Sequence, residues 1–196
     1  MSLTVRTPPD GPSGSGAVRL PVGTAARRRL WFAAVLGRLD LALLRLLRTR
    51  GHGPAVEPWI LAFSRTGEHG ALWLVIALLG AVAAPRGRRH YRRAGRTVAL
   101  TYVLTQVAKV ATRRARPLLD DLPRLSATLS NRSYPSAHAS TAFAGARALS
   151  PVLPPGALYA AATAMALSRP YVGVHYPSDV VAGAFFGTAV AELAAP

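Results

Sequence analysis

The sequence predicts an all-α integral membrane helical bundle of about five spans, preceded by an amphipathic N-terminal helix. Three observations predict it. The 196 residues are 51% apolar and only 16% charged, well below the roughly 25% charged content of an ordinary soluble domain. The apolar residues gather in stretches of helical length rather than in short alternating runs. Five such stretches follow one another after residue 70. Several are shorter than the roughly 20 residues that a span requires. The membrane reading therefore leans on their number and spacing, and a soluble bundle with buried helices is the alternative.

Residues 1–26 are rich in Ser, Gly, Pro and Thr and read as a disordered tail. They lack the apolar core of a secretory signal. Leu30–Leu47 is mostly apolar but includes Arg38, Asp40 and Arg45. On a helical wheel Arg38, Arg45 and Arg48 share a side, which predicts an interfacial helix. A true span would carry those charges into lipid at high cost and is the alternative. Gly51-His52-Gly53-Pro54 breaks the chain, and a short helix is expected through Trp59 and Phe63. Residues 27–65 thus form an interfacial region ahead of a membrane-embedded domain, 66–196. The stretches in that domain are about Ala71–Ala84, Gly95–Ala111, Ser136–Leu149, Gly156–Leu167 and Ser178–Leu193. Ala182, Gly183, Ala184 and Gly187 in the last suit close helix packing within lipid.

Loop parity orders the chain. If the side reached after the second stretch is the near side, residues 64–70, 112–135 and 168–177 all lie there. Residues 85–94, 150–155 and the C-terminus lie on the far side.

Composition narrows the chemistry. The chain has no cysteine, which removes disulfides, thiolate metal sites and a cysteine nucleophile. Lys+Arg number 24 against 8 Asp+Glu, a net charge of +16. Such a balance points to nucleic acid, a membrane surface or an anionic substrate. The arginines flank apolar helices without a nucleic-acid-binding motif, so nucleic acid is not expected. Acidic residues are too scattered for most carboxylate-bound metal centres. Lys109 is the only lysine, and it stands inside an apolar run.

Three short motifs fall at near-side helix ends. The first is Lys109 with Arg116-Pro117. Seven residues is about two helical turns, so both cations can face one side, with Pro117 ending the helix. Arg113 and Arg114 read as flanking charge that anchors the helix end. The second is Pro135-Ser136-Ala137-His138. A proline suits the first position of a helix, whose free N–H groups bind anions. Ser136 adds a hydroxyl, and His138 exchanges protons near neutral pH. The third is Ser168-Arg169, then His175, then Asp179. Asp179 either favours the helix N-terminus or orients the imidazole of His175. Fixed cations, a serine, a helix N-terminus, two histidines and a carboxylate on one side suit binding and transfer of a tetrahedral oxyanion.

In order and spacing these three motifs resemble those of the type 2 phosphatidic acid phosphatase superfamily, which also includes the vanadium haloperoxidases. The likeness spans Lys109–Asp179 for the motifs and about Ala71–Leu193 for the helical frame. Ala137 stands where the family often has glycine, and its backbone N–H is still offered. The resemblance implies an all-helical core and a lipid phosphate as substrate. It implies His175 as nucleophile through a phosphohistidine, with Asp179 orienting it. His138 would protonate the leaving oxygen and then activate water. Lys109, Arg116, Ser136, Ala137 and Arg169 would hold the phosphate, with no metal or other cofactor. The haloperoxidases are soluble and much longer. A catalytically idle scaffold does not fit a complete motif set.

Within the superfamily, Ser64-Arg65-Thr66-Gly67-Glu68-His69-Gly70 and Val174-His175-Tyr176-Pro177-Ser178-Asp179 are similar to the actinobacterial decaprenylphosphoryl-5-phosphoribose phosphatases. That likeness implies a polyprenyl-linked sugar phosphate in cell-wall precursor synthesis. Phosphatidic acid, phosphatidylglycerol phosphate and polyprenyl diphosphate present the same terminal phosphate and stay open. Parity puts Arg65, Glu68 and His69 near the site, either as headgroup contacts or as a brace for the first span.

The remaining residues have plainer readings. Asp120 and Asp121 belong to a solvated loop, and His52 and His90 face water or headgroups. Trp59, Trp73, Tyr91 and Tyr102 read as interfacial or packing aromatics. The far-side loop carries Arg86, Arg88, Arg89, Arg92, Arg93 and Arg96, and the positive-inside rule then puts the site outside the cytoplasm. The near side is also arginine-rich, so the rule is not decisive. Residues 1–96 hold +12 of the charge and residues 97–196 hold +4. Most of it therefore lies outside the catalytic half, where anionic headgroups are the expected partner.

Overall fold

The computed structural model describes residues 24–50, 52–128 and 130–195, with side chains from residue 35 onward. The expected tail lies almost wholly outside the described residues. The chain divides into two units, Met1–Val35 and Leu36–Pro196. Residues 24–35 of the first are helical. The described residues form seven α-helices and no strand: α1 Thr24–Arg50, α2 Glu57–Thr66, α3 Ala71–Ala83, α4 Arg88–Thr112, α5 Ala137–Leu149, α6 Pro155–Tyr171 and α7 Pro177–Leu193. All five apolar stretches, and the short helix before them, are thus present.

Helix α5 is the centre of the second unit and packs on α7, α4, α6 and α3. Its own side chains are small: Ala139, Ser140, Ala142, Ala144, Gly145 and Ala146 are all buried. Small residues bury little apolar area themselves, but they let backbones approach. Gly183 and Gly187 of α7 do the same from the other side. A Cβ at Gly183 would stand 2.6 Å from the Ser136 carbonyl oxygen, and one at Gly187 would overlap that of Ser140. Bulk comes from Trp73 of α3, fully buried against Gly145, together with Leu149 and Met165.

Two helix ends differ from expectation. Helix α4 stops at Thr112, because Arg113 adopts a left-handed conformation (φ 52°). It does not run on to Pro117, so Arg116 lies in the following loop. That loop is braced by an isolated antiparallel bridge between Ala115 and Arg132. Helix α5 begins at Ala137 with Ser136 as its N-cap. Pro135 therefore precedes the helix instead of opening it.

Helix α1 divides its faces differently from the expected wheel. Asp40, Leu44 and Arg48, four residues apart, are its buried row, while Leu36, Leu39, Leu43 and Leu46 are exposed. Arg48 donates to the carbonyls of Tyr171 and Pro123 at 2.9 and 2.6 Å. Arg45 pairs with Asp121 at 2.6 Å. Of the expected polar side only Arg48 is buried on protein, while Arg38 and Arg45 stay exposed along with most of the leucines. His52 does not face water either: it stacks on Tyr171 at 4.6 Å and meets Glu57 at 2.9 Å.

No single described helix is long and apolar enough to cross a membrane alone, although α2 and the Glu68–Ala83 segment, bent by 50°, pass together. Helices α3 and α5 have 13 residues, α6 and α7 have 17, or roughly 20–26 Å at about 1.5 Å per residue. The outer surface is nonetheless apolar, with Leu78, Val82, Val107 and Phe185 well exposed.

Candidate active site

Helix ends from four elements close around a cavity of about 430 Å³. Lys109 comes from the last turn of α4, Arg116 from the loop after it, and Ala137 and His138 from the start of α5. Arg169 comes from the end of α6, and His175 from the turn before α7. All six line the cavity. The expected near-side convergence of the three motifs is therefore physical.

The protonation of His175 follows from its neighbours. Arg116 Nη1 lies 3.0 Å from His175 Nε2 and also donates to the Val174 carbonyl at 2.7 Å. A guanidinium only donates, so Nε2 accepts and Nδ1 carries the proton. Nδ1 faces Asp179 Oδ2 at 3.4 Å. The ring is only 2% exposed. Burial, then the cations Arg116, Lys109 and Arg169, push its pKa well below the usual value. His175 is thus a neutral imidazole with a lone pair on Nε2. Arg116 is itself buried beside Arg124, and its pKa is pushed down to about 10.

Asp179 is fully buried in the first turn of α7. Its Oδ2 accepts the Tyr176 backbone N–H at 2.9 Å, and its Oδ1 accepts Arg114 Nη1 at 2.8 Å. Arg114 Nη2 reaches Asp40 Oδ2 at 2.6 Å. Asp40 also accepts the Ser178 backbone N–H at 2.8 Å, and the Ser178 hydroxyl bonds to it too. Arg114 is therefore more than flanking charge. Burial works against its charge, but Asp40 and Asp179 outweigh that and raise its pKa.

Ser64 organises the opposite wall. Its hydroxyl accepts Arg169 Nη1 at 2.6 Å and lies 3.0 Å from Ser168 Oγ. Its carbonyl oxygen lies 3.1 Å from His138 Nε2. A carbonyl only accepts, so Nε2 is the protonated nitrogen and Nδ1 is left for proton exchange. Lys109 Nζ donates to the Arg132 carbonyl at 3.2 Å. Ser136 Oγ and Arg169 Nε are buried without a partner. Buried donors are normally satisfied, so these two have capacity for an anion's oxygens. Ser136 is fully buried but does not line the cavity, whereas Ala137 does.

Glu68 and His69 line the same cavity, and Arg65 does not. His69 (φ 56°) and Gly70 (φ 76°) both take left-handed backbone angles, forming the sharp turn between α2 and α3. Tyr102, expected to be a packing or interfacial aromatic, lines the cavity beside His69, with ring centroids 5.4 Å apart. Sequence reasoning missed Asp40, Ser64 and Arg114 as site residues. Asp40 had one signal, a lone carboxylate within an apolar helix. Arg114 had another, an arginine two residues before Arg116.

Cations, paired imidazoles and orphaned donors around one helical cavity define a helical-bundle enzyme built to handle a phosphate group. Residues 90–195 match the PAP2 superfamily, and the chain belongs to that superfamily. It is 37% identical over 144 residues to the decaprenylphosphoryl-5-phosphoribose phosphatase of Mycolicibacterium smegmatis, covering 74% of this chain and 80% of that one. To the enzyme of the same name from Mycobacterium tuberculosis it is 40% identical over 137 residues, covering 66% and 73%. Two crystal structures share the fold. LpxE of Aquifex aeolicus aligns at a TM-score of 0.70 with 26% identity, over 80% of this chain and 94% of that one. The transmembrane PAP2-type phosphatidylglycerolphosphate phosphatase of Bacillus subtilis aligns at 0.66 with 21% identity, over 82% and 84%. The chain is a membrane-associated lipid phosphatase, a hydrolase of phosphate esters.

Proposed function

We propose that this enzyme removes the terminal phosphate of a polyprenyl-linked sugar phosphate, decaprenylphosphoryl-5-phosphoribose or a near analogue, through a phosphohistidine. The observation that carries the mechanism is the state of His175: neutral, with Nε2 on Arg116 and Nδ1–H toward Asp179. Lys109, Arg116 and Arg169 engage the phosphate oxygens, joined by the unpartnered Nε of Arg169 and the backbone N–H of Ala137, while Ser136 stands behind the cavity wall. His175 Nε2 attacks phosphorus, and the bond from phosphorus to the sugar oxygen breaks. Asp179 stabilises the charged ring that forms. A proton brought in on the phosphate monoanion passes through His138 Nδ1 to the leaving oxygen, and Nδ1 then takes one from the water that attacks the phosphohistidine. Inorganic phosphate leaves and His175 is restored. The cations carry the charge that develops in both steps.

Two observations support the sugar phosphate. The mycobacterial relatives are named for that lipid. The cavity rim also carries Glu68, His69, Tyr102, Gln106 and Thr128, hydrogen-bonding groups that suit a hydroxyl-rich headgroup. The reading includes a multi-pass membrane topology with the catalytic side outside the cytoplasm. The exposed apolar surface and the far-side arginine loop support that topology.

The test is phosphate release by the detergent-solubilised enzyme in EDTA, over four lipids: decaprenylphosphoryl-5-phosphoribose, phosphatidic acid, phosphatidylglycerol phosphate and a polyprenyl diphosphate. The sugar phosphate is expected to give the highest kcat/KM, with inhibition by vanadate. A higher value for any other lipid overturns the substrate assignment, and loss of all activity in EDTA overturns the mechanism.

A further inference from the structure

The N-terminal end of α4 holds a second, separate site. Arg86, Arg88, Arg89, Arg92, Arg93 and Arg96 surround a basic cavity of about 600 Å³. An apolar groove of about 530 Å³ adjoins it between α3 and α4, lined by Leu74, Ala77, Leu78, Ala81, Val82 and Gly95 among others. Arg88, Arg92 and Arg96 line both. Spaced four residues apart, they form one row roughly 12 Å long on the face of α4. Arg96 is 13 residues from Lys109, roughly 20 Å along the helix axis. The two sites share no lining residue.

The arginines are uncompensated. Among the described residues, no ion pair involves any of the six. Arg88 Nε donates to the Ala81 carbonyl at 3.0 Å, and Arg93 donates to that of Ala194. The groove is equally unfilled on its outer side, where Leu78 and Val82 are 63% and 68% exposed.

We propose that this end of α3 and α4 seats one anionic glycerophospholipid. Its phosphodiester lies on the Arg88–Arg92–Arg96 row and one acyl chain lies in the groove. Charge complementarity and continuity select this occupant. A bare phosphate leaves the groove open. A zwitterionic lipid brings its own cation among uncompensated arginines. A nucleic acid has nothing to place between Leu78 and Gly95. Arginine forks take phosphate oxygens in two-point fashion, and basic pockets between membrane helices are recognised seats for anionic headgroups. The seat binds a phosphodiester without hydrolysing it, so it stands independently of the proposed substrate.

The experiment is native mass spectrometry of the full chain in detergent, offered equimolar dioleoylphosphatidylglycerol and dioleoylphosphatidylcholine. Retention of the anionic lipid is expected to exceed that of the zwitterionic one by roughly tenfold. The double variant R92Q/R96Q, at two exposed positions, should bring the two lipids to parity while circular dichroism stays unchanged. Gly95→Leu should also weaken retention with every arginine in place. A Cβ there meets only Ala77 Cβ at 3.5 Å, and unchanged circular dichroism and thermal unfolding of the variant show that the rest of the leucine is accommodated. Lys109→Ala should leave the preference intact. Equal retention of both lipids by the parent chain overturns the proposal. Full retention in Gly95→Leu also overturns it, reducing the site to a charged surface. Loss of the preference in Lys109→Ala with survival in R92Q/R96Q places the lipid in the catalytic cavity instead. Displacement of the lipid by millimolar inorganic phosphate makes the site one for free phosphate.

Discussion

Arg114 Nη1 donates to Asp179 Oδ1 at 2.8 Å, and this contact ties the carboxylate beside His175, the proposed nucleophile, to α1, whose Asp40 lies 69 residues before Lys109. The other arm of the same guanidinium holds Asp40 of α1. Asp179 thus has one oxygen on Arg114 and the other on the Tyr176 N–H, with His175 Nδ1 3.4 Å from that second oxygen and without a hydrogen-bond partner of its own. Arg114→Ala frees that carboxylate to rotate away from the ring and leaves Asp40 without its cation. We expect kcat to fall about 10- to 100-fold with KM little changed, less than the roughly 10⁴-fold loss when an orienting carboxylate itself is neutralised. Asp40→Asn keeps an acceptor for Ser178 and should be milder. Steady-state kinetics check both, and wild-type kcat in Arg114→Ala would show that the contact has no positioning role.

The pH behaviour follows from the burial of His175. Its folded pKa lies below the unfolded value of about 6.5. Between those two values the unfolded chain binds the extra proton. The histidine's contribution to stability is therefore complete above about pH 6.5 and is lost as pH falls toward the folded value. By the same sign the nucleophile stays neutral, and activity persists, below pH 6.5. Removing a neighbouring charge with Arg116→Gln should raise the His175 pKa. An NMR titration of labelled histidine in that variant and in the wild type reads the shift directly.

In the proposed mechanism His138 serves both chemical steps, and the two can be separated by the leaving group. His138→Ala should reduce turnover of a lipid phosphate by about 10²- to 10⁴-fold. An aryl phosphate with an acidic leaving group does not need the first proton, so only the second step should remain slow. Its expected signature is a burst of phenol followed by slow turnover, seen in stopped-flow absorbance. Uniformly slow release without a burst would remove His138 from the second step.

The contact of α7 with α5 depends on two glycines. Gly187→Val forces a side chain into the Ser140 carbonyl and should cost about 1–3 kcal/mol or more. Gly156→Ala meets nothing within 4 Å and should be neutral or gain up to about 1 kcal/mol from helix propensity. Thermal unfolding of the two variants in one detergent makes the comparison.

The helical frame was legible because the apolar stretches have helical length and Gly or Pro boundaries, as at Gly70, Pro155 and Pro177. The motif residues were legible because their chemistry is out of place: Lys109 inside an apolar run, His175 before a helix with Asp179 in its first turn. Local geometry was harder to read. Pro117 looked like the helix stop, but Arg113 ends α4 earlier by turning left-handed, a choice its side chain does not announce. Ser64 and Asp40 were hidden because their partners, Arg169 and Arg114, lie far away in the chain. The wheel of α1 grouped Arg38, Arg45 and Arg48, but of these only Arg48 meets protein. It is buried in one row with Asp40 and Leu44, with most leucines left outside.

The central claim is that His175 carries the phosphoryl group. The most direct measurement is rapid acid-free quenching of His138→Ala after mixing with a ³²P-labelled lipid phosphate, followed by peptide mapping. The account predicts label on the peptide containing His175, removed by mild acid and absent when His175→Ala is added to the same chain. Label that persists without His175, or rapid phosphate release with no labelled protein at any time, would contradict it.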